Sequence, residues 1–74
     1  MKILYRQDCK RFVDTLSPAR RQDLRRKLSS FALNPFSGAR RLTTGVYYRR
    51  LGKYAVGFRL IRDSVIVSAL MRMD

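Results

Sequence analysis

The sequence predicts an α+β fold, a small single domain over residues 1–74 in the order β-α-α-β-β-β, with a helical hairpin packed on one face of an antiparallel sheet. Apolar residues recur at helical spacing in the first half of the chain, strand-like alternation fills the second half, and an Asn-Pro pair separates the two. At 74 residues there is room for one modest core, near the size where burial only just outweighs chain entropy. A large enclosed site around a buried cofactor is not expected, and no internal repeat or low-complexity tract is visible.

The elements follow in order. Ile3-Leu4-Tyr5, within Lys2 to Arg6, is a short apolar run compatible with a strand. From Asp8 the pattern changes: Cys9, Phe12, Val13 and Leu16 fall at i, i+3, i+4 and i+7, one face of a helix, with Asp8 suited to its N-cap or first turn. Ser17-Pro18 reads as an N-cap followed by proline at the first helical position, opening a second helix that runs to Leu33. Leu24, Leu28, Phe31 and Ala32 should face inward, and Gln22, Arg25, Arg26 and Ser29 outward. Asn34-Pro35 ends this helix, because proline disfavours the α conformation in the residue before it, and a loop follows that carries Ser37-Gly38, Arg40 and Arg41.

Val46 to Leu51 and Tyr54 to Leu60 are β-rich runs around Gly52-Lys53, a two-residue hairpin turn. In the second run Tyr54, Val56, Phe58 and Leu60 alternate with Ala55, Gly57 and Arg59, so one face is bulky and apolar while the other is small and basic. A turn near Arg62-Asp63-Ser64 leads to the last strand, Val65 to Met71. The helices should cover one face of the sheet and leave the other open, where function is expected.

Charge narrows the function classes. The chain carries 17 Lys and Arg against 5 acidic residues, a formal +12. Self-repulsion on that scale tends to destabilise an isolated compact chain, and a polyanion or an acidic protein relieves it. Arginine dominates, with 13 of the 17 cations, which suits planar bidentate contact with phosphate or carboxylate.

There is no His and one Cys, which removes imidazole acid–base chemistry, a disulfide within the chain and the usual structural zinc sets. Cys9 lies on the apolar stripe of its helix and is expected to be a small buried hydrophobe rather than a nucleophile. Nucleotide-binding glycine motifs, a P-loop and a Ser/His/Asp set are absent. No apolar run approaches the ~20 residues that span a bilayer and no signal peptide is visible, so the cytoplasm is expected. What remains is basic side chains beside aromatics: Arg40, Arg41, Tyr47, Tyr48, Arg49, Arg50, Lys53 and Tyr54. Arg and Lys bind phosphates while Tyr stacks on a base, the usual pairing for single-stranded RNA, although Tyr47 or Tyr54 is more often a core aromatic. Clustered cations can cleave RNA without metal or His by stabilising the pentacoordinate phosphate.

The stretches Asn34-Pro35-Phe36-Ser37-Gly38-Ala39-Arg40-Arg41-Leu42, Tyr47 through Leu60, and Asp63-Ser64-Val65-Ile66-Val67 together resemble the signature of the RelE/ParE toxins of type II bacterial toxin-antitoxin systems, over nearly the whole chain. The resemblance implies a toxin neutralised by a cognate antitoxin with an acidic or amphipathic segment. It also implies one of two activities. One is ribosome-dependent, metal-independent endoribonuclease cleavage of mRNA that represses translation; the other is ParE-like inhibition of DNA gyrase without catalysis. A degenerate relative that only binds its antitoxin is a further alternative.

Carried over residue by residue, Arg50 matches a catalytic strand cation and Arg72 the position of a C-terminal catalytic Arg. Tyr48 stands where another strand cation is usual, Ala55 where the family hairpin has its Arg, and Arg49 where a hydrophobic residue is common. Family members usually carry a further Arg, His or Tyr beyond the last strand, where this chain has Met71-Arg72-Met73-Asp74. The expected catalytic pair is Arg50 and Arg72, converging on one phosphate across the open face above Ala55 and Gly57. The expected RNA-binding residues are Arg40, Arg41, Tyr48, Arg49, Lys53 and Arg59, with no cofactor, metal or membrane partner.

Overall fold

A computed structural model describes residues 2–73. The chain runs β1 (Lys2–Tyr5), α1 (Gln7–Asp14), α2 (Pro18–Leu33), β2 (Arg40–Thr43), β3 (Val46–Leu51), β4 (Tyr54–Ile61) and β5 (Ser64–Arg72). Local chemistry sets most of these boundaries. Ser17 is the extended N-cap of α2 with Pro18 just inside the helix; the Ser17 carbonyl accepts the Arg21 N–H at 2.8 Å, while its hydroxyl makes no cap bond. Arg21 clasps the α1–α2 turn, its Nη2 donating to the Asp14 and Leu16 carbonyls at 3.2 and 3.1 Å, where a cation also complements the C-terminal end of α1. At the far end Asn34 leaves the helical region ahead of Pro35. Gly52 opens the β3–β4 turn with φ 63°, a conformation glycine adopts without steric penalty.

The strands form one five-stranded sheet in the order β1-β5-β4-β3-β2. Two features differ from the expectation. Arg40 and Arg41 lie in a strand, β2, paired antiparallel with β3 through Arg40 opposite Tyr48 and Arg41 opposite Tyr47, with a register shift between Arg41 and Thr43. Every β2 residue is exposed, so backbone pairing rather than burial holds the strand, and no hydrophobic alternation marks it. Its charged side chains also suit an edge strand, where they discourage pairing with other chains. The sheet is mixed rather than antiparallel throughout, because β1 runs parallel to β5 with Ile3 beside Val65 and Tyr5 beside Val67.

Both helices lie on one face of this sheet. Cys9, Leu24, Leu28 and Phe31 pack over Leu51, Tyr54, Val56, Phe58, Val65, Val67 and Leu70. Phe58 is the aromatic centre: Phe31 meets it edge-on at 5.1 Å between centroids, Tyr47 stacks on it at 5.5 Å, and Phe36 meets both at 5.6 and 5.0 Å. Tyr47 is therefore a core residue, as is Tyr54, which meets Phe12 edge-on and is 4 % exposed. The Cys9 thiol is buried and points at the Val67 carbonyl, 3.7 Å away. Among the described residues no helix is long and apolar enough to cross a membrane.

Candidate nucleic-acid interface

Strand parity assigns the other face. Successive strand residues point to opposite sides of a sheet, and directly opposed residues on neighbouring strands share a side. Tyr54, Val56 and Phe58 belong to the core, so Ala55, Gly57 and Arg59 occupy the uncovered face of β4. Opposite them on β3 stand Arg50, Tyr48 and Val46, and on β5 Met71, Ala69 and Ile66. Arg40 continues the Tyr48 row onto β2, and Leu4 continues the Ile66 row onto β1.

Tyr48 is the hub of this face. Arg40 lies directly across from it, about 5 Å away between Cα atoms. Arg50, two residues along the same strand, lies about 7 Å away. Arg59 sits two residues beyond Gly57, the residue opposite Tyr48, which makes it a diagonal neighbour at about 7–8 Å. Guanidinium groups on long side chains can thus gather around the phenol ring from different sides. Lys2 adds a further exposed cation on this face, and none of the five strands contains an Asp or Glu.

The floor is kept low by small residues. Ala55 is 1 % exposed beneath its neighbours, and a Cβ added at Gly57 would come within 3.3 Å of the Ala69 Cβ. A bulge in β5 leaves Ser68 out of register, and its hydroxyl donates to the Gly57 carbonyl at 3.4 Å. Exposed apolar side chains, Leu4, Ile61 and Met71, lie towards the margins. Such a surface can take phosphates on its guanidinium groups and a base against the Tyr48 ring.

The remaining expected site residues lie elsewhere. Arg49 points to the helix side, half-buried, where its Nη1 donates to the Asn34 carbonyl at 2.7 Å and its guanidinium lies 5.6 Å from the Phe31 ring centre. It therefore ties β3 to the end of α2, which accounts for a cation standing where a hydrophobic residue was expected. Arg41, opposite Tyr47, is also on the helix side, with Nη2 3.4 Å from the Thr44 hydroxyl. Lys53 is exposed in the β3–β4 turn.

Arg72 is opposite Tyr54 and so faces the helices, whereas Met71 is the residue in the Arg50–Ala55 row. Arg50 and Arg72 consequently do not converge across the open face. A single residue of register decides this, because a one-residue step along a strand reverses the side a residue faces. Arg50 itself is exposed, with its Nε donating to the Gly52 carbonyl at 3.3 Å.

Sequence reasoning missed the residues that surround Arg72. Arg20, Asp23 and Lys27, at i, i+3 and i+7 along one side of α2, line a cavity of about 320 Å³ together with Lys53, Tyr54 and Arg72. The spacing marks the stripe, but nothing in it names the hairpin turn it adjoins. Lys27 donates to Asp23 Oδ2 at 2.6 Å, and this hydrogen bond holds the Asp23 carboxyl below the usual range. Burial pushes the Cys9 thiol and the Tyr5 phenol up. Among the described residues no group of His, Cys, Asp and Glu could hold a metal ion.

No family model, curated protein or solved structure matches the chain.

Proposed function

We propose that this protein is the toxin of a toxin-antitoxin pair, and that it grips single-stranded mRNA on the ribosome through the open sheet face and represses translation by cutting it. The observation that carries the reading is that Arg40, Arg50 and Arg59 share one sheet face with Tyr48, across from it, along its strand and diagonal to it, on strands that contain no Asp or Glu. In this reading Tyr48 stacks on a base, Arg40 and Arg59 hold flanking phosphates, and Arg50 stabilises the charge that develops at the scissile phosphate. A single well-placed donor of that kind contributes about 3–4 kcal/mol to a transition state. An acidic, amphipathic antitoxin segment offsets the +12 charge when the toxin is silent.

The test is induction in cells, with mRNA integrity followed beside DNA supercoiling, for the parent, Arg50→Ala and Arg25→Ala. Cut transcripts in the parent and in Arg25→Ala, with intact transcripts in Arg50→Ala, support the reading. Equal cleavage in all of them, or none in any, overturns it.

One observation favours a second reading, ParE-like gyrase inhibition without cleavage. Of the expected catalytic pair only Arg50 faces the open groove, and Ala55 brings no cation there. Altered supercoiling with intact mRNA in the same experiment would select it.

A further inference from the structure

The cavity on the helix side lies outside the interface described above. It sits between the first half of α2, the β3–β4 turn and the end of β5. Among the described residues it brings Arg20, Lys27, Lys53 and Arg72 together with the Asp23 carboxylate, which Lys27 engages. Lys27 is oriented from several sides. Asp23 holds its Nζ at 2.6 Å and the Tyr54 ring lies 5.8 Å away. A Cβ on Gly52 would come within 3.0 Å of both the Lys27 Cε and Nζ, so the glycine provides the clearance across which the lysine lies. Tyr54 is almost fully buried and occupied by Phe12 and Lys27, which makes it a floor rather than a stacking platform. The chemistry suits a compact anion, not a base.

Position links this cavity to the open face. Arg50 and Lys53 flank the same turn, Arg50 bonded to the Gly52 carbonyl on the open side and Lys53 lining the cavity on the other. A strand leaving the Tyr48 platform and rounding the end of the hairpin stays beside cations throughout. We propose that the cavity is a second phosphate subsite, which seats a backbone phosphate of the single-stranded RNA after the strand turns round the β3–β4 hairpin. This rests on the RNA-binding reading of the open face and adds a path and a direction to it.

Salt dependence tests the subsite, with Arg20→Ala/Lys53→Ala compared with Arg25→Ala, Tyr48→Ala and the parent. The double substitution leaves Asp23, Lys27 and Tyr54 intact, so the floor is preserved. The probe is a single-stranded RNA about ten nucleotides long, within the range a single-strand groove accommodates. Loss of one phosphate contact should lower the slope of log affinity against log salt by about 0.7, and weaken binding about fourfold at ~0.15 M salt, in a manner independent of base sequence. Arg25→Ala should keep the parental slope. The Gly52 and Lys53 amide resonances should shift with this RNA and stay in place with an oligomer of about four nucleotides, too short to leave the open face.

A double variant with the parental slope, while Tyr48→Ala still weakens binding, overturns the subsite and leaves the open face standing. Amide shifts produced by inorganic phosphate but not by RNA also overturn it, and assign the cavity to a free anion. Absence of RNA binding by the parent overturns the subsite and the functional reading together.

Discussion

The two faces of the sheet are written by the same strands in alternating letters, yet they are built for different ends. On the covered face Tyr47, Leu51, Tyr54, Val56 and Phe58 interlock with Phe31, Leu24 and Leu28, and Val56, Phe58, Phe31 and Leu24 have no exposed surface. On the open face the intervening positions are Tyr48, Arg50, Ala55, Gly57 and Arg59. Burial decides identity on the first; on the second, Arg50, Arg59 and Arg40 are exposed, and Arg50 makes one hydrogen bond, to the Gly52 carbonyl of the adjoining turn. Arg40, Arg50 and Arg59 share that face with Tyr48, where like charges repel one another. Neighbouring arginines sharpen the contrast: Arg49 is enlisted by the fold through Asn34 and Phe31, whereas Arg50 faces outward.

The largest expected effect lies on the covered face. Phe58→Ala removes the ring that Phe31, Phe36 and Tyr47 share and should cost about 3–5 kcal/mol in urea unfolding, a large part of what a domain this small has to spare. Tyr48→Ala should instead unfold within about 0.5–1 kcal/mol of the parent. In RNA binding it should lose about 1–3 kcal/mol, the contribution of one stacked base. A Tyr48 variant as unstable as Phe58→Ala would break the distinction between the faces.

The adjacent arginines give the next comparison. Arg49→Ala should lose about 1 kcal/mol of stability, because it gives up the hydrogen bond to the Asn34 carbonyl, which is open to water, and the contact of its guanidinium with the Phe31 ring. Arg50→Ala should keep its melting temperature and lose RNA cleavage. Reversal of the two outcomes would place the functional cation on the helix side.

The smallest effect is alkaline. Burial, then the nearby Asp8, raise the Cys9 thiol above its ordinary 9.0, and burial, then Cys9, raise the Tyr5 phenol above 10.0. The folded state therefore holds these protons more tightly than the unfolded chain. The stability they confer is fully present below pH 9 and is lost as pH rises through the ordinary thiol and phenol values towards the raised ones. Melting temperature should be nearly flat between about pH 6 and 8, since no His titrates there. It should fall above pH 9, less steeply in Cys9→Ala. A fall beginning near pH 7 would contradict the burial of Cys9.

Much of the fold is legible in the chain because its local rules agree. Ser17-Pro18 and Asn34-Pro35 bound α2, Gly52-Lys53 turns β3 into β4, and the alternation from Tyr54 to Leu60 separates a covered face from an open one. Each of these is a short-range effect: a cap, a forced φ, or a period that one face must bury. Composition alone fixes the surplus of cations and the absence of imidazole chemistry. The existence of β2 emerges only from the folded sheet, since four exposed residues leave no hydrophobic trace and their pairing with β3 is backbone to backbone. The parallel placement of β1 beside β5 comes from the packed sheet as well, because alternation specifies which way side chains point and not which strand lies alongside. The packed sheet likewise separates Arg50 from Arg72 and brings Arg72 beside Arg20 and Lys27, for strand register is set by the whole sheet and a single step within it moves a side chain to the other face.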